Sequence, residues 1–266
     1  MKIIGDRING TNPVVRKAIE TRDVSFIENL ARMQASNSHY IDVNVGTARG
    51  SNEKEAMMWA VNAVISATGK PVSIDSPDPL IIESVLNSFS TSSHLINSVN
   101  GDKESMDRLI PIAKELGCPI VALCMDSSGI PSTSKERLDI CLRIIERATS
   151  AGIAIENIYF DPLVLPLACD SSNARLSLET MELIKGEISG ARIILGISNI
   201  SFGLPGRSIM ESAFLAIAMS KGLDAALLDP TNHYLLSTIY GTDTILGNDP
   251  FARRYVKAYR SGEIQT

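Results

Sequence analysis

The stretch Ile193–Arg207, IILGISNISFGLPGR, decides how the rest of the chain is read. It opens as a short apolar run ending at Gly196, the pattern of a strand buried on both faces of a parallel sheet. Small and amide-bearing residues follow: Ser198, Asn199, Ser201 and Gly203. Pro205, Gly206 and Arg207 then close a loop before a helical pattern begins near Ser208. A polar loop at the C-terminal mouth of a parallel strand is where α/β folds bind ligands. The amide of Asn199 offers a donor and an acceptor without charge, which suits a heteroatom-rich ring. Asn199 and Ser201 equally suit the plainer task of satisfying loop backbone groups.

The same strand–loop–helix unit recurs along the chain. Apolar runs lie at Ile3–Ile4, Tyr40–Val43, Pro71–Ile74, His94–Ile96, Ile120–Cys124, Ile158–Phe160, Ile193–Gly196 and Ala225–Leu228. Helical patterns separate them, at Pro13–Thr21, Val24–Ala35, Ser51–Ser66, Lys103–Leu116, Lys135–Ala151, Leu176–Gly186 and Ile209–Lys221 among others. The tail Asn232–Ser261 reads as helical with a break at Gly247–Pro250. Alternation of this kind predicts a parallel sheet. Eight units in 266 residues, without a linker or a shift in composition, predict one closed (β/α)8 TIM barrel spanning residues 1–266. A dinucleotide fold would place GxGxxG after the first strand, and Gly5-Asp6-Arg7 does not supply it.

Composition narrows the function. Apolar residues make up 44% and aromatics 5%, so the core is aliphatic. A net charge of -5 with no long basic run argues against nucleic acid as the main partner. Cys118, Cys124, Cys141 and Cys169 form no CxxC and have no His at zinc-like spacing, and are expected as free thiols of a reducing compartment. MKIIGDRING lacks a signal-peptide core, and the apolar stretch Ala213–Leu228 is interrupted by Lys221 and Asp224, so a soluble cytoplasmic protein is expected.

Asn9, Asp42, Asn44, Asp75, Asn97, Asp126, Asp161, Ser198, Asn199 and Asp229 follow strands and are expected at one barrel mouth. Each alone is as readily a turn former or helix cap. The set is rich in Asp and Asn and holds no Lys, His or Cys, which removes Schiff-base chemistry and HxH-type zinc hydrolysis. His39 and His94 fall at strand beginnings and His233 in a late helix, where structural roles are expected. No metal site is expected. The loop Gly203–Gly206 with Arg207 is a weak phosphate-binding pattern. Carboxylates and amides without phosphate binders suit a flat, neutral heterocycle. A pterin presents an N–H and an exocyclic amino group side by side, and one carboxylate accepts both as a bidentate pair.

Six strand ends together resemble the pterin-binding methyltransferases that exchange a methyl group between methyltetrahydrofolate and a corrinoid protein. They are IIGDRING (Ile3–Gly10), IDVNVG (Ile41–Gly46), SIDS (Ser73–Ser76), LINSVNG (Leu95–Gly101), FDPLVLP (Phe160–Pro166) and LGISNISFG (Leu195–Gly203). The resemblance implies a barrel of the dihydropteroate-synthase type and a homodimer. It implies that Asp75, Asn97 and Asp161 hold the pterin edge, that Gly196 and Ser198 line the pocket, and that Asn199 is the catalytic residue, bonding the N5 region of the folate. Arg207 is grouped with the folate-binding residues. The implied substrates are tetrahydrofolate or 5-methyltetrahydrofolate and cobalamin carried by a partner protein, which is expected to dock near Phe202–Arg207 and Ser127–Thr133. Phe202 stands where the family usually has a polar residue, and Asp6 where it often has Glu. The competing readings are a dihydropteroate-synthase-like enzyme, a metal-dependent lyase using Asp75 and Asp161, and a non-catalytic folate- or corrinoid-protein-binding module. The loop Asn44–Arg49 lacks the pattern expected of the synthase.

Overall fold

The computed structural model describes residues 1–46, 53–89 and 94–264. Eight strands pair in sequence order, all parallel, and close on themselves. They are β1 Lys2–Asn9, β2 Tyr40–Asn44, β3 Val72–Asp75, β4 Leu95–Val99, β5 Ile120–Leu123, β6 Ile158–Asp161, β7 Arg192–Gly196 and β8 Ala225–Leu228. Around them lie α1 Pro13–Glu20, α2 Val24–Ala35, α3 Glu53–Thr68, α4 Pro79–Ser88, α5 Lys103–Leu116, α6 Ser134–Ser150, α7 Asn173–Glu187, α8 Arg207–Ser220, α9 His233–Ile245 and α10 Arg253–Arg260. The expected start of the third helix at Ser51 and the end of the Asn44–Arg49 loop lie outside the described residues.

The two-residue period of the strands divides the core. Ile41 and Val43, Val72 and Ile74, and Ile193 and Leu195 pack outward with the helices. The alternate residues Ile4, Leu95, Val121, Tyr159, Ile194 and Ala225 meet in a separate cluster that fills the barrel. Burial of one such aliphatic side chain contributes about 1.5–3 kcal/mol. At the N-terminal end the Lys2 ammonium sits 5.7 Å from the Tyr40 ring and 5.5 Å from the Tyr159 ring. His39 and His94 belong to this end. Each Nδ1 accepts a backbone N–H, from Ile3 at 3.1 Å and Val72 at 3.2 Å, and burial holds both imidazoles below the usual histidine range. They are neutral acceptors within the frame.

Two strands run longer than the sequence reading: β4 continues through Asn97 and Ser98 to Val99, and the first strand departs further. The first strand does not stop at Ile4 with Asp6, Arg7 and Asn9 in a turn; it runs to Asn9, with a shift of register between Gly5 and Ile8. The buried amide of Gln34 on α2 accepts the Arg7 N–H at 3.0 Å, and Ile8 is fully buried. Polar residues therefore remain in a strand because they face the barrel mouth. Five helices are started by side-chain caps: Asn12 accepts from Val14, Asp23 from Phe26, Asp78 from Leu80, Thr133 from Glu136 and Asn232 from Tyr234. Each such cap contributes about 1 kcal/mol.

Candidate active site

Two residues beyond the apolar filling, the same inward period brings polar side chains to the mouth. Ile4 is followed by Asp6, Tyr40 by Asp42 and Asn44, Ser73 by Asp75, Leu95 by Asn97, Tyr159 by Asp161 and Leu227 by Asp229. Register fixes their neighbours: Asp75 pairs with Asn97, and Leu123 with Asp161. The Asn97 Nδ2 donates to Asp42 Oδ1 at 3.2 Å, which leaves the Asn97 carbonyl oxygen as the acceptor turned elsewhere. The Asn44 Nδ2 donates to Asp75 Oδ2 at 2.8 Å, while its Oδ1 accepts the Gly46 N–H at 2.8 Å. Sequence reading placed Asp42 and Asn44 at the mouth without a role; they orient the two residues beside them.

Asp161 is held differently. Its Oδ1 accepts the Leu163 N–H at 2.8 Å. Leu163 has φ 68, a conformation rare for a side-chain-bearing residue. The turn is secured from α6 by Arg137, which is 1% exposed and donates through Nη1 to Pro162 O at 2.6 Å and Leu163 O at 3.0 Å. Ser177 of α7 donates to the same Leu163 oxygen at 2.7 Å. Neither residue was legible in the sequence, where each reads as one more polar position on an amphipathic helix.

The electrostatics follow from enclosure. Burial raises the Asp161 carboxyl to about 6, opposed by the Leu163 N–H and the Arg137 charge. Burial also raises Asp75, against the hydrogen bond from Asn44, and raises Asp42 well above the carboxylate range with the Asp75 charge beside it. Asp6 reaches about 7 through burial first and the Asp229 charge second, with the hydrogen bond from Ser198 acting in the opposite direction. Burial thus pushes these four carboxyls at the mouth towards the protonated form. That arrangement supplies donors and acceptors to a ligand edge without accumulating charge.

The β7 loop forms the other wall. Ile197–Ser201 winds into a 3-10 turn. A Cβ on Gly196 would lie 2.9 Å from Asn199 Nδ2, so the glycine makes the room in which that amide sits. Asn199 is exposed to the mouth. The Ser198 hydroxyl donates to Asp6 Oδ2 at 3.2 Å. Arg207 donates through Nη2 to Ser198 O at 2.7 Å and through Nε to Ser201 Oγ at 2.9 Å. A groove of about 690 Å³ runs here, lined by Asp6, Arg7, Asn199, Phe202, Arg207 and Asp229 among others. The sequence-derived residues therefore form two walls: Asp75, Asn97 and Asp161 on strands β3, β4 and β6, and Gly196, Ser198, Asn199 and Arg207 on the β7 side.

Three strand-end residues are turn formers. Asp126 pairs with Arg143 at 2.6 Å and closes an outer turn through Ser128 and Gly129, so it does not join the mouth as expected. The Asn9 Oδ1 accepts from the Thr11 N–H and hydroxyl. Asp229 does the same for Thr231, with Arg7 3.7 Å from its other oxygen. Cys124 is fully buried against Cys141, and burial pushes its thiol well above the usual range, which removes it as a nucleophile. Among the described residues no group of three or more His, Cys, Asp and Glu is arranged to hold a metal ion.

The family model described as pterin binding enzyme matches residues 5–229. The methylcorrinoid:tetrahydrofolate methyltransferase of Eubacterium limosum is 37% identical over 267 residues, covering 99% of this chain and 98% of that protein. The methionine synthase of Mycobacterium tuberculosis is 27% identical over 240 residues, 85% of this chain and 20% of that protein. Among solved structures, Yersinia pestis DHPS with a pterine-sulfa conjugate superposes with a TM-score of 0.68 at 18% identity, over 93% of each chain, which shows a shared fold.

Proposed function

This chain belongs to the pterin-binding enzymes, and on that premise we propose that it is a corrinoid-dependent tetrahydrofolate methyltransferase, moving a methyl group between the cobalt of a corrinoid protein and N5 of the folate. The observation that carries the reading is full-length identity of 37% to a protein named for that reaction. Its name gives the direction methylcorrinoid to tetrahydrofolate, and we adopt it for this chain.

The pterin edge is held by Asp75, Asn97 and Asp161. Asn97, its amide oriented by Asp42, presents its carbonyl to a ring N–H. Asp75 and Asp161 border the same edge, and one carboxylate that accepts both paired donors makes a bidentate contact stronger than two neutral hydrogen bonds. Gly196 and Ser198 line the pocket, and Arg207 borders the groove. Asn199 contacts the N5 region. In methyl transfer to the folate, the N5 lone pair forms the N–CH3 bond while the Co–C bond breaks, and that electron pair stays on cobalt as Co(I). Nitrogen then carries positive charge until its proton leaves. The Asn199 carbonyl accepts from N5–H as that charge grows, and Asp6 in the same groove is placed to take the proton. In the reverse direction the rotated amide donates to N5.

The corrin is substrate, brought by a protein that docks over the mouth at Phe202–Arg207 and the Ser127–Thr133 loop. Phe202 is 66% exposed and Ile130 is 41% exposed, which fits an apolar contact. We further propose a cytoplasmic homodimer built as one pterin-binding barrel domain over residues 1–266. Two features support pairing: the exposed side chains Ile209, Ile217 and Tyr234 on α8 and α9, and a cleft shared by Ile209 and Tyr234.

The test combines binding and turnover. Calorimetry is expected to show tetrahydrofolate binding, weakened at least tenfold in Asp161→Ala (on the order of 1.4 kcal/mol). Incubation with methylcobalamin and tetrahydrofolate under argon is expected to yield methyltetrahydrofolate by mass spectrometry. Folate binding without product, with free and protein-bound corrinoid alike, would leave a binding module. Absence of folate binding would overturn the reading altogether.

A further inference from the structure

The polar contacts behind Asn199 tie the β7 wall of the pocket to α8. Ser201 is fully buried, two residues after Asn199. Its hydroxyl donates to Glu211 Oε1 at 2.5 Å and accepts from Arg207 Nε at 2.9 Å. The same guanidinium reaches past Ser201 to the Ser198 carbonyl at 2.7 Å. That carbonyl belongs to the peptide bond leading into Asn199. The two fixed points therefore bracket Asn199 on both sides. Further backbone bonds complete the frame, from Phe202 N to Asn199 O at 3.2 Å and from Leu167 N to Ile200 O at 3.1 Å.

The far end of the device is a charge that the fold has to place deliberately. Glu211 is 6% exposed on α8, and a buried carboxylate is costly unless paired and hydrogen-bonded. Its partners are the Ser201 hydroxyl and the Arg207 guanidinium, 3.4 Å away. Arg207 is the first residue of α8, where the helix dipole disfavours a cation, and no acidic residue stands in that first turn. The i,i+4 pair with Glu211 offsets that cost only weakly. The loop supplies the stronger reason: a rigid planar fork donates to a hydroxyl and a carbonyl together in a fixed geometry, which the single point charge of an ammonium does not impose.

We propose that Arg207, Ser201 and Glu211 are positioning residues that clamp the Ile197–Ser201 turn and so hold the Asn199 amide where methyl transfer requires it. This rests on the reading of Asn199 as the group that contacts N5, and it moves Arg207 from ligand binding to loop support. Displacing a catalytic contact by about 1 Å costs on the order of 100-fold in rate. The clamp reaches Ser198 only through its backbone carbonyl and touches neither Asp75, Asn97 nor Asp161, so the larger effect is expected on rate and the smaller on folate affinity.

The experiment is a set of double-mutant cycles with the full-length chain, reading kcat for methyl transfer, KM for tetrahydrofolate and thermal midpoint. Ser201→Ala and Arg207→Met are expected to lower kcat about 10- to 100-fold with KM within about threefold. Arg207→Lys is expected to restore little, since it keeps the charge and loses the fork. In an Asn199→Ala background the same substitutions are expected to cost almost nothing further, because the group they position is gone. Should Ser201→Ala fail to fold, Arg207→Met and Glu211→Gln carry the cycle. Losses that multiply with Asn199→Ala, or a raised KM at unchanged kcat, would overturn the clamp while leaving the methyltransferase reading standing. A wild-type protein that binds folate and transfers no methyl group would overturn that reading and the clamp with it.

Discussion

Asp6 carries the most consequential single ionisation in the mouth. Burial, then the neighbouring Asp229 charge, moves its carboxyl from 3.8 to about 7, while the Ser198 hydroxyl works against them. Below pH ~4 folded and unfolded chains both hold the proton, and the advantage of burying a neutral acid is fully present. As pH rises towards 7 only the unfolded chain releases its proton, so the contribution declines and is gone above the folded value. Asp6→Asn is therefore expected to flatten this limb. Its stability by denaturant titration should exceed that of the wild type by up to about 4 kcal/mol at pH 8 and match it near pH 4. The same variant tests the proton route. Transfer to tetrahydrofolate is expected to rise with pH through about 7 in the wild type and to lose that inflection in Asp6→Asn. An unchanged inflection would place the proton acceptor elsewhere.

Two glycines separate the tasks of neighbouring loops. A Cβ on Gly10 would stand 2.3 Å from the Val45 carbonyl oxygen, where the β1 and β2 loops pass each other backbone to backbone. Gly10→Ala must move one of those loops, and a loss of about 1–3 kcal/mol in denaturant titration is expected. A Cβ on Gly196 meets the movable Asn199 amide instead. Gly196→Ala is expected to lower kcat about tenfold or more with a thermal midpoint within a few degrees of wild type, and a large loss of stability at full activity would contradict that division. The contrast shows what the sequence could and could not convey. Strand ends were legible because an apolar run closing on Asp, Asn or Gly marks the mouth: Asp75, Asp161 and Gly196 close their strands, whereas Asn97 lies inside β4, which runs on to Val99. The full length of β1 was hidden because Asp6 and Asn9 look like turn residues until the barrel gives them an inward face. Arg137, Ser177 and Glu211 were hidden for another reason. They sit on helices, and helical periodicity is silent about a side chain that reaches into a strand-to-helix loop. Asp126 was misplaced because its spacing after β5 is right while Arg143 draws it outward.

Across the molecule, the aliphatic filling and the polar mouth divide stability from function, as parallel barrels generally do. The N-terminal end is closed by Lys2 between two tyrosines and by neutral histidines that accept backbone N–H groups. The mouth keeps its carboxyls, amides and exposed Phe202. Phe202→Asp is expected to slow transfer from a corrinoid protein about tenfold or more while leaving transfer from free methylcobalamin within about twofold, because only the former needs a docked partner. Equal effects on both donors would remove Phe202 from the docking surface. Sedimentation velocity is expected to report a dimer, weakened by Ile209→Asp on the exposed face of α8.

The most direct measurement is an anaerobic absorbance time course after mixing the enzyme with methylcobalamin and tetrahydrofolate, run in parallel with Asn199→Ala. The Co(I) band is expected to appear with wild-type enzyme, and at a rate about 10²-fold lower in the variant at saturating folate with folate affinity by calorimetry changed little. A wild-type rate in Asn199→Ala, or no Co(I) from wild-type enzyme with either free or protein-bound methylcorrinoid, would contradict it.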